Sequence, residues 1–153
     1  CVSNETLKPE TVQVFWELRD NTAAILRKGQ QEVRVDAMSC AWLEREEFED
    51  ADEFGNYISY HMEKDGEEIS SGTVLFTIPK FFRMVDPELQ VRLDGDEIVV
   101  RAEKYARAVE IRNKEDNLIL TDNFFDMNAG EKRVKILRGE PEALEVRSVY
   151  NIR

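Results

Sequence analysis

The chain has 153 residues, with 21 Lys plus Arg against 32 Asp plus Glu, for a formal net charge of −11. This length holds one mid-sized domain or two small ones, and excludes a (β/α)8 barrel, which needs at least ~200 residues. No apolar run approaches the ~18 residues of a membrane span, and a strong acidic excess with no basic stripe argues against nucleic acid and anionic membranes as partners.

The chemistry-bearing residues exclude more. With two Cys and one His, one chain cannot build a zinc site from four cysteines, from two cysteines and two histidines, or from three histidines. There is no Walker loop, no G-x-G-x-x-G and no G-x-S-x-G, so neither a cofactor nor a metal is expected. Cys1 and Cys40 read as free thiols of a reducing compartment. Cys1 to Glu5 carry no basic stretch or apolar segment of a signal peptide, which favours a cytoplasmic location.

The dominant hydrophobic period along the chain is two, the mark of strands with one buried and one wet face. Residues 11–19 (T-V-Q-V-F-W-E-L-R) put Val12, Val14, Trp16 and Leu18 on one face, which predicts a core position for Trp16. Phe15 falls out of phase, as an exposed aromatic or a contact to a neighbouring domain. Residues 32–35 alternate again. Residues 39–48 (S-C-A-W-L-E-R-E-E-F) fit either a short helix capped by Ser39 or a strand followed by an acidic loop. The acidic run from Glu44 to Glu53 lacks the D-x-[DN]-x-[DN]-G spacing of a calcium loop and reads as solvated. Residues 57–63 place Ile58, Tyr60 and Met62 together, with His61 on the opposite face as a half-exposed sheet histidine. Asp65-Gly66 then predicts a tight primed turn into the run 69–78.

Residues 78–87 (I-P-K-F-F-R-M-V-D-P) hold two of the four prolines, and each restricts its predecessor to extended backbone and donates nothing to a ladder. This is the expected seam. Beyond it, residues 89–93 and 98–102 alternate about Asp94-Gly95, a second primed turn. Residues 102–111 hold good helix formers but no single apolar stripe, and read as extended. Short apolar segments follow at 118–120, 134–137 and 144–149, and Asn128-Ala129-Gly130-Glu131 reads as a turn. At least seven short strands at roughly 8–12-residue spacing predict an all-β chain of two antiparallel immunoglobulin-like sandwiches in tandem. The expected domains are 1–78 and 88–153, with 79–87 as connector.

Asp122-Asn123-Phe124-Phe125-Asp126-Met127-Asn128-Ala129-Gly130-Glu131 resembles the D-N-F/Y-F-D-L-x-P-G-E stretch in the last domain of β-mannosidases of glycoside hydrolase family 2, with Ala129 where that family usually has Pro. Pro79-Lys80-Phe81-Phe82 and Asp86-Pro87 resemble the connector between that family's two C-terminal immunoglobulin-like domains. Val2-Ser3-Asn4-Glu5-Thr6, followed by Val14-Phe15-Trp16-Glu17-Leu18-Arg19-Asp20, resembles the opening of its penultimate domain. The resemblance implies non-catalytic accessory domains of an enzyme that cleaves terminal β-mannosides with two barrel glutamates. The expected partners are then the catalytic barrel and preceding domains of the same parent chain. No catalytic residue of that family maps here; Asn4-Glu5 matches its acid/base dipeptide only as letters, since that dipeptide lies on a barrel strand. Asp122, Asn123, Phe124, Phe125, Asp126 and Gly130 are expected to organise a domain corner, because two adjacent phenylalanines cannot both face inward on a regular strand. Phe15 is the candidate interdomain contact. A carbohydrate-binding module is the rival reading, with Phe15 and Trp42 as its candidate stacking aromatics, and a free-standing hydrolase is a second. Asn4-Glu5-Thr6 also matches a glycosylation sequon, read as chance.

Overall fold

A computed structural model describes residues 1–152. Strands run in the order β1 (Val2–Asn4), β2 (Glu10–Asp20), β3 (Ile25–Val35), β4 (Ser39–Ala41), β5 (Asn56–Lys64), β6 (Glu67–Leu75), β7 (Gln90–Asp94), β8 (Glu97–Ala102), β9 (Ala106–Arg112), β10 (Ile119–Leu120), β11 (Phe125–Met127), β12 (Gly130–Arg138) and β13 (Glu145–Arg147), closing on a 3₁₀ turn at Val149–Ile152. The fold is all-β and antiparallel, as the period-two patterning implied. The chain divides into two compact units, residues 1–20 with 25–82, and residues 21–24 with the segment from Arg83 onward.

Unit 1 is an unequal sandwich. Its main sheet has the order β3-β2-β5-β6, and its second sheet is only the pair β1-β4. Long alternating strands register over most of their length in the main sheet: Val12 faces Val33, and Trp16 sits between Gly29 and Tyr60. Asp65 and Gly66 both adopt positive φ between Lys64 and Glu67, the signature of a type I′ hairpin turn. Residues 39–48, which fitted helix or strand equally by pattern, form the short strand β4 and an irregular segment. The buried core is correspondingly small. Val2, Val12 and Val35 are buried, with Val14, Val33, Ala41, Leu43 and Met62 packed against them. Tyr57 and Phe82, both fully buried, meet edge-on at 6.3 Å.

Trp16 departs from the expectation of a core position. It is in phase with Val12 and Leu18, which are buried, yet is itself only half-buried. The reason is length: β1 and β4 have three residues each and cover only one end of the sheet face on which the indole lies.

Unit 2 is a fuller sandwich. A four-stranded sheet, β10-β12-β8-β7, opposes a three-stranded one, β11-β9-β13. Ile98, Val100 and Ala102 of β8, Val109 and Ile111 of β9, Phe125 and Met127 of β11 and Val134 of β12 form one buried cluster. The β7–β8 turn differs in detail from expectation. Asp94 pairs with Glu97, so the two loop residues are Gly95 and Asp96, with positive φ at Gly95; glycine at the first central position is the type II′ arrangement. Residues 102–111 form no helix, as read, but are not extended throughout: β8 ends at Ala102, a bend follows, and β9 begins at Ala106, with Ala108 at φ 48° marking a bulge in it.

Candidate functional site

Two places concentrate polar and aromatic side chains. The first is the D-N-F-F-D stretch of unit 2. Here β11 is three residues long and its pairing with β9 is irregular, Phe125 facing Val109 and Met127 facing Ala106. Regular ladder bonds are therefore lost on both sides of the Ala108 bulge, and a buried backbone group without a partner costs about 1–3 kcal/mol. Side chains replace them. The Asn123 amide receives the Ile111 N–H at 2.8 Å and donates to the Ile111 carbonyl at 3.0 Å, acting as one rung of a strand. Its oxygen also receives the Phe124 N–H at 3.0 Å. Asp126 receives the Ala108 N–H at 2.8 Å through one carboxylate oxygen. Its other oxygen accepts from the Tyr105 hydroxyl at 3.3 Å and from Arg107 at 3.2 Å. Burial works against the Arg107 charge, but the Tyr105 and Asp126 oxygens outweigh it and hold the guanidinium more basic than usual.

The aromatic pair divides between the two faces. Phe125 is buried in the cluster, whereas Phe124 is 63% exposed and takes a positive φ of 61°, a conformation rare for a bulky residue. Asp122 accepts from Lys132 at 2.6 Å, and the same ammonium lies 4.2 Å from the Phe125 ring centre. Gly130 takes φ 137° as β12 begins, where any side chain would be strained.

The second place is a cleft of about 650 Å³ in unit 1. Its floor is the part of the main sheet that β1 and β4 leave uncovered: Val14, Trp16, Ile58, Tyr60 and Met62. Four residues in register, Gly29, Trp16, Tyr60 and Gly72, cross the sheet as one row. The two glycines let the rings lie flat. A Cβ at Gly29 would come within 2.4 Å of the indole, and one at Gly72 within 2.7 Å of the Tyr60 oxygen. Phe48 meets the indole edge-on at 5.3 Å, and the Arg27 guanidinium lies 5.4 Å from its ring centre and 4.5 Å from that of Phe48. Sequence reasoning missed this site because Trp16 looked like core; the glycines at positions 29 and 72 were the available signal.

The remaining candidates are spread out. On the other face of the main sheet, Phe15 is half-buried and stacked on His61, ring centres 4.6 Å apart. Trp42 is 83% exposed, on the irregular segment after β4. Asn4 is buried, its amide donating to the carbonyls of Lys8, Val35 and Asp36, so the amide that a glycan would occupy already ties three chain segments together. Asp94 is held below the usual carboxylate range by the Arg133 hydrogen bond and charge, then by Arg92; a general acid needs the opposite shift. Among the described residues, no group of three metal-ligating side chains comes together.

Residues 1–80 match the model of the Mannosidase Ig/CBM-like domain, and residues 84–152 match that of an Ig-fold domain of mannosidases. The chain belongs to the mannosidase immunoglobulin-like domain family. Its fold is that of a segment of the β-D-mannosidase of Dictyoglomus thermophilum, at a TM-score of 0.71 and 15% identity, over 94% of this chain and 19% of that one. It is also similar to the exo-chitosanase of Amycolatopsis orientalis, at a TM-score of 0.61 and 7% identity, over 96% of this chain and 25% of that one. The chain thus spans about a fifth to a quarter of the length of these two structures. No curated protein sequence matches it significantly.

Proposed function

We propose that this chain is the non-catalytic C-terminal tandem of a β-mannosidase-like glycoside hydrolase, divided as domains 1–78 and 88–153 about a connector at 79–87. The observation that carries this reading is the match of both halves, in order, to immunoglobulin-like domains of mannosidases. The parent would be a retaining hydrolase of terminal β-mannosides whose reacting carboxylates lie in a barrel that this chain does not contain. The tandem's partners are then that barrel and the domains before it. Phe15 and Phe124 are its candidate contacts to them: one is out of phase on its strand, the other exposed beside a buried neighbour. Asp122, Asn123, Phe125, Asp126 and Gly130 act structurally, holding the bulged β9–β11 edge in place. A sugar-binding appendage would need a line of exposed aromatics on one sheet face, whereas Phe15 is half-buried against His61 and the exposed Trp42 lies off the sheets, on the irregular segment after β4.

The test is hydrolysis of p-nitrophenyl β-D-mannoside by the purified chain. No turnover above buffer is expected. Turnover that survives purification to homogeneity, and is lost when one carboxylate of this chain is replaced by its amide, would overturn the reading.

A further inference from the structure

The main sheet of unit 1 ends on a long bare edge. β3 has 11 residues, pairs with β2 on one side only, and is exposed over most of its length. Among the described residues, no other strand or loop backbone bonds to its outer side. Such an edge is a template for a further strand unless its side chains oppose one. β6, the other edge of the sheet, opposes a copy of itself: its only charged residues are Glu67 and Glu68.

The charges of β3 are arranged differently. Arg27 and Arg34 each lie 4.0 Å from a carboxylate of their own chain, Glu46 and Asp36. Lys28 and Glu32 find no opposite charge. Glu17 stands directly across from Lys28 on β2, but its carboxylate is taken by Arg19 at 2.8 Å, and among the described residues Lys28 has no ion pair. Glu32 accepts from the neutral Gln13 amide at 2.9 Å. Both side chains are exposed, and both share the face of the sheet that carries Phe15 and Gln30. They sit two residues to either side of Gln30. An antiparallel strand identical to β3 and centred on Gln30 therefore brings its Glu32 opposite Lys28 and its Lys28 opposite Glu32. Directly opposed residues are the closest side-chain neighbours that two strands offer.

We propose that β3 is a self-complementary edge, which pairs antiparallel with β3 of a second copy of this chain about a two-fold axis at Gln30. The two main sheets then join into one continuous sheet. Lys28 of each copy faces Glu32 of the other, so two ion pairs flank the axis, and Gln30 meets its own symmetry mate between them. The same patch is used twice, so association closes at the dimer. The net charge of −11 per copy opposes contact in general. The junction falls where this opposition is weakest, because β3 holds Arg27, Lys28 and Arg34 against the single acid Glu32. Salt at about 0.15 M screens the rest beyond about 8 Å. The pairing needs nothing outside this chain, so it stands or falls apart from the reading of the tandem as a piece of a mannosidase.

Sedimentation equilibrium of the chain between about 0.01 and 1 mM, the range suited to a small interface, tests the idea. A monomer–dimer equilibrium is expected. Lys28→Glu and Glu32→Lys each set like charges against one another on both sides of the axis, and each should weaken self-association by about tenfold or more. An equimolar mixture of the two single variants should associate as the wild type does, because every facing pair is then opposite in sign. The double variant, with both exchanges in one chain, should do the same. Both tryptophans of the chain lie in unit 1, so their fluorescence melts check that this unit stays folded in each variant. A wild type that remains monomeric to about 1 mM would mean an edge that accepts no second copy, and would overturn the proposal. So would single variants that associate as strongly as the wild type, or a mixture and a double variant that both fail to recover. Assemblies that grow beyond the dimer would overturn it as well, since they mark an open head-to-tail pairing of β3 with β6.

Discussion

Replacing Asn123 by alanine isolates the role of one side chain in holding unit 2 together. The amide satisfies both the N–H and the carbonyl of Ile111, at 2.8 and 3.0 Å, and Ile111 is 2% exposed. Each buried group left without a partner costs about 1–3 kcal/mol. The third bond, to the Phe124 N–H, lies at an exposed position where water substitutes, and adds little. The sum is roughly 2–6 kcal/mol, against a typical domain stability of about 5–15 kcal/mol. At about 4–8 °C per kcal/mol for a domain of this size, even the lower bound should bring the melting midpoint of unit 2 down by roughly 8–16 °C. Calorimetry reads this transition, and tryptophan fluorescence, which reports unit 1 only, serves as the internal control. Asn123→Asp keeps an acceptor for the Ile111 N–H but loses the donor to its carbonyl, so its midpoint should lie between wild type and Asn123→Ala. If Asn123→Ala melts within about 2 °C of wild type, or if unit 1 shifts as much as unit 2, the amide is not a rung of the ladder and the account of the D-N-F-F-D stretch is wrong.

Two further outcomes follow from other parts of the chain. Gly29→Val puts a Cβ within 2.4 Å of the Trp16 indole; the ring must leave its flat seat, at a cost of about 1–3 kcal/mol. Tryptophan emission should shift to the red, and an unchanged spectrum with an unchanged midpoint would show that the indole does not lie on Gly29. The depressed affinity of Asp94 for protons, set first by Arg133 and then by Arg92, makes its ion pairs stabilising above the ordinary carboxylate pKa of about 4. That contribution is lost as pH falls through the lower folded-state value. The carboxylate is half-exposed, so the effect is small. Asp94→Asn should shallow the acid limb of unit 2 below about pH 4, and superimposable acid titrations of the two proteins would refute it.

Much of the architecture was legible in the chain because period-two alternation is a local property. Val12 and Leu18, or Ile98 and Val100, declare a strand face whatever lies opposite. Asp65-Gly66 declares its turn by the conformations only such a pair accepts easily. The Asp94-Gly95 turn was placed one residue early, because strand register, not the dipeptide, decides which residues form the loop. Phe124-Phe125 carried a local contradiction, two adjacent aromatics on one strand, and that marked the place where regular pairing breaks. What replaces the pairing was not readable. Asn123 bonds Ile111 and Asp126 bonds Ala108 across the sheet, partners brought close only by the irregular register of β9 and β11.

Trp16 shows where local pattern stops. Alternation assigns a residue to a face, but burial depends on how far the opposite sheet reaches, and three-residue strands cover only one end. The chain by itself determined the strand class, the tandem division it suggests, and the absence from it of a barrel's length. Tertiary structure decided which face is roofed, which side chains substitute for ladder bonds, and where an apolar floor stands open, because each of these depends on contacts between residues far apart in sequence.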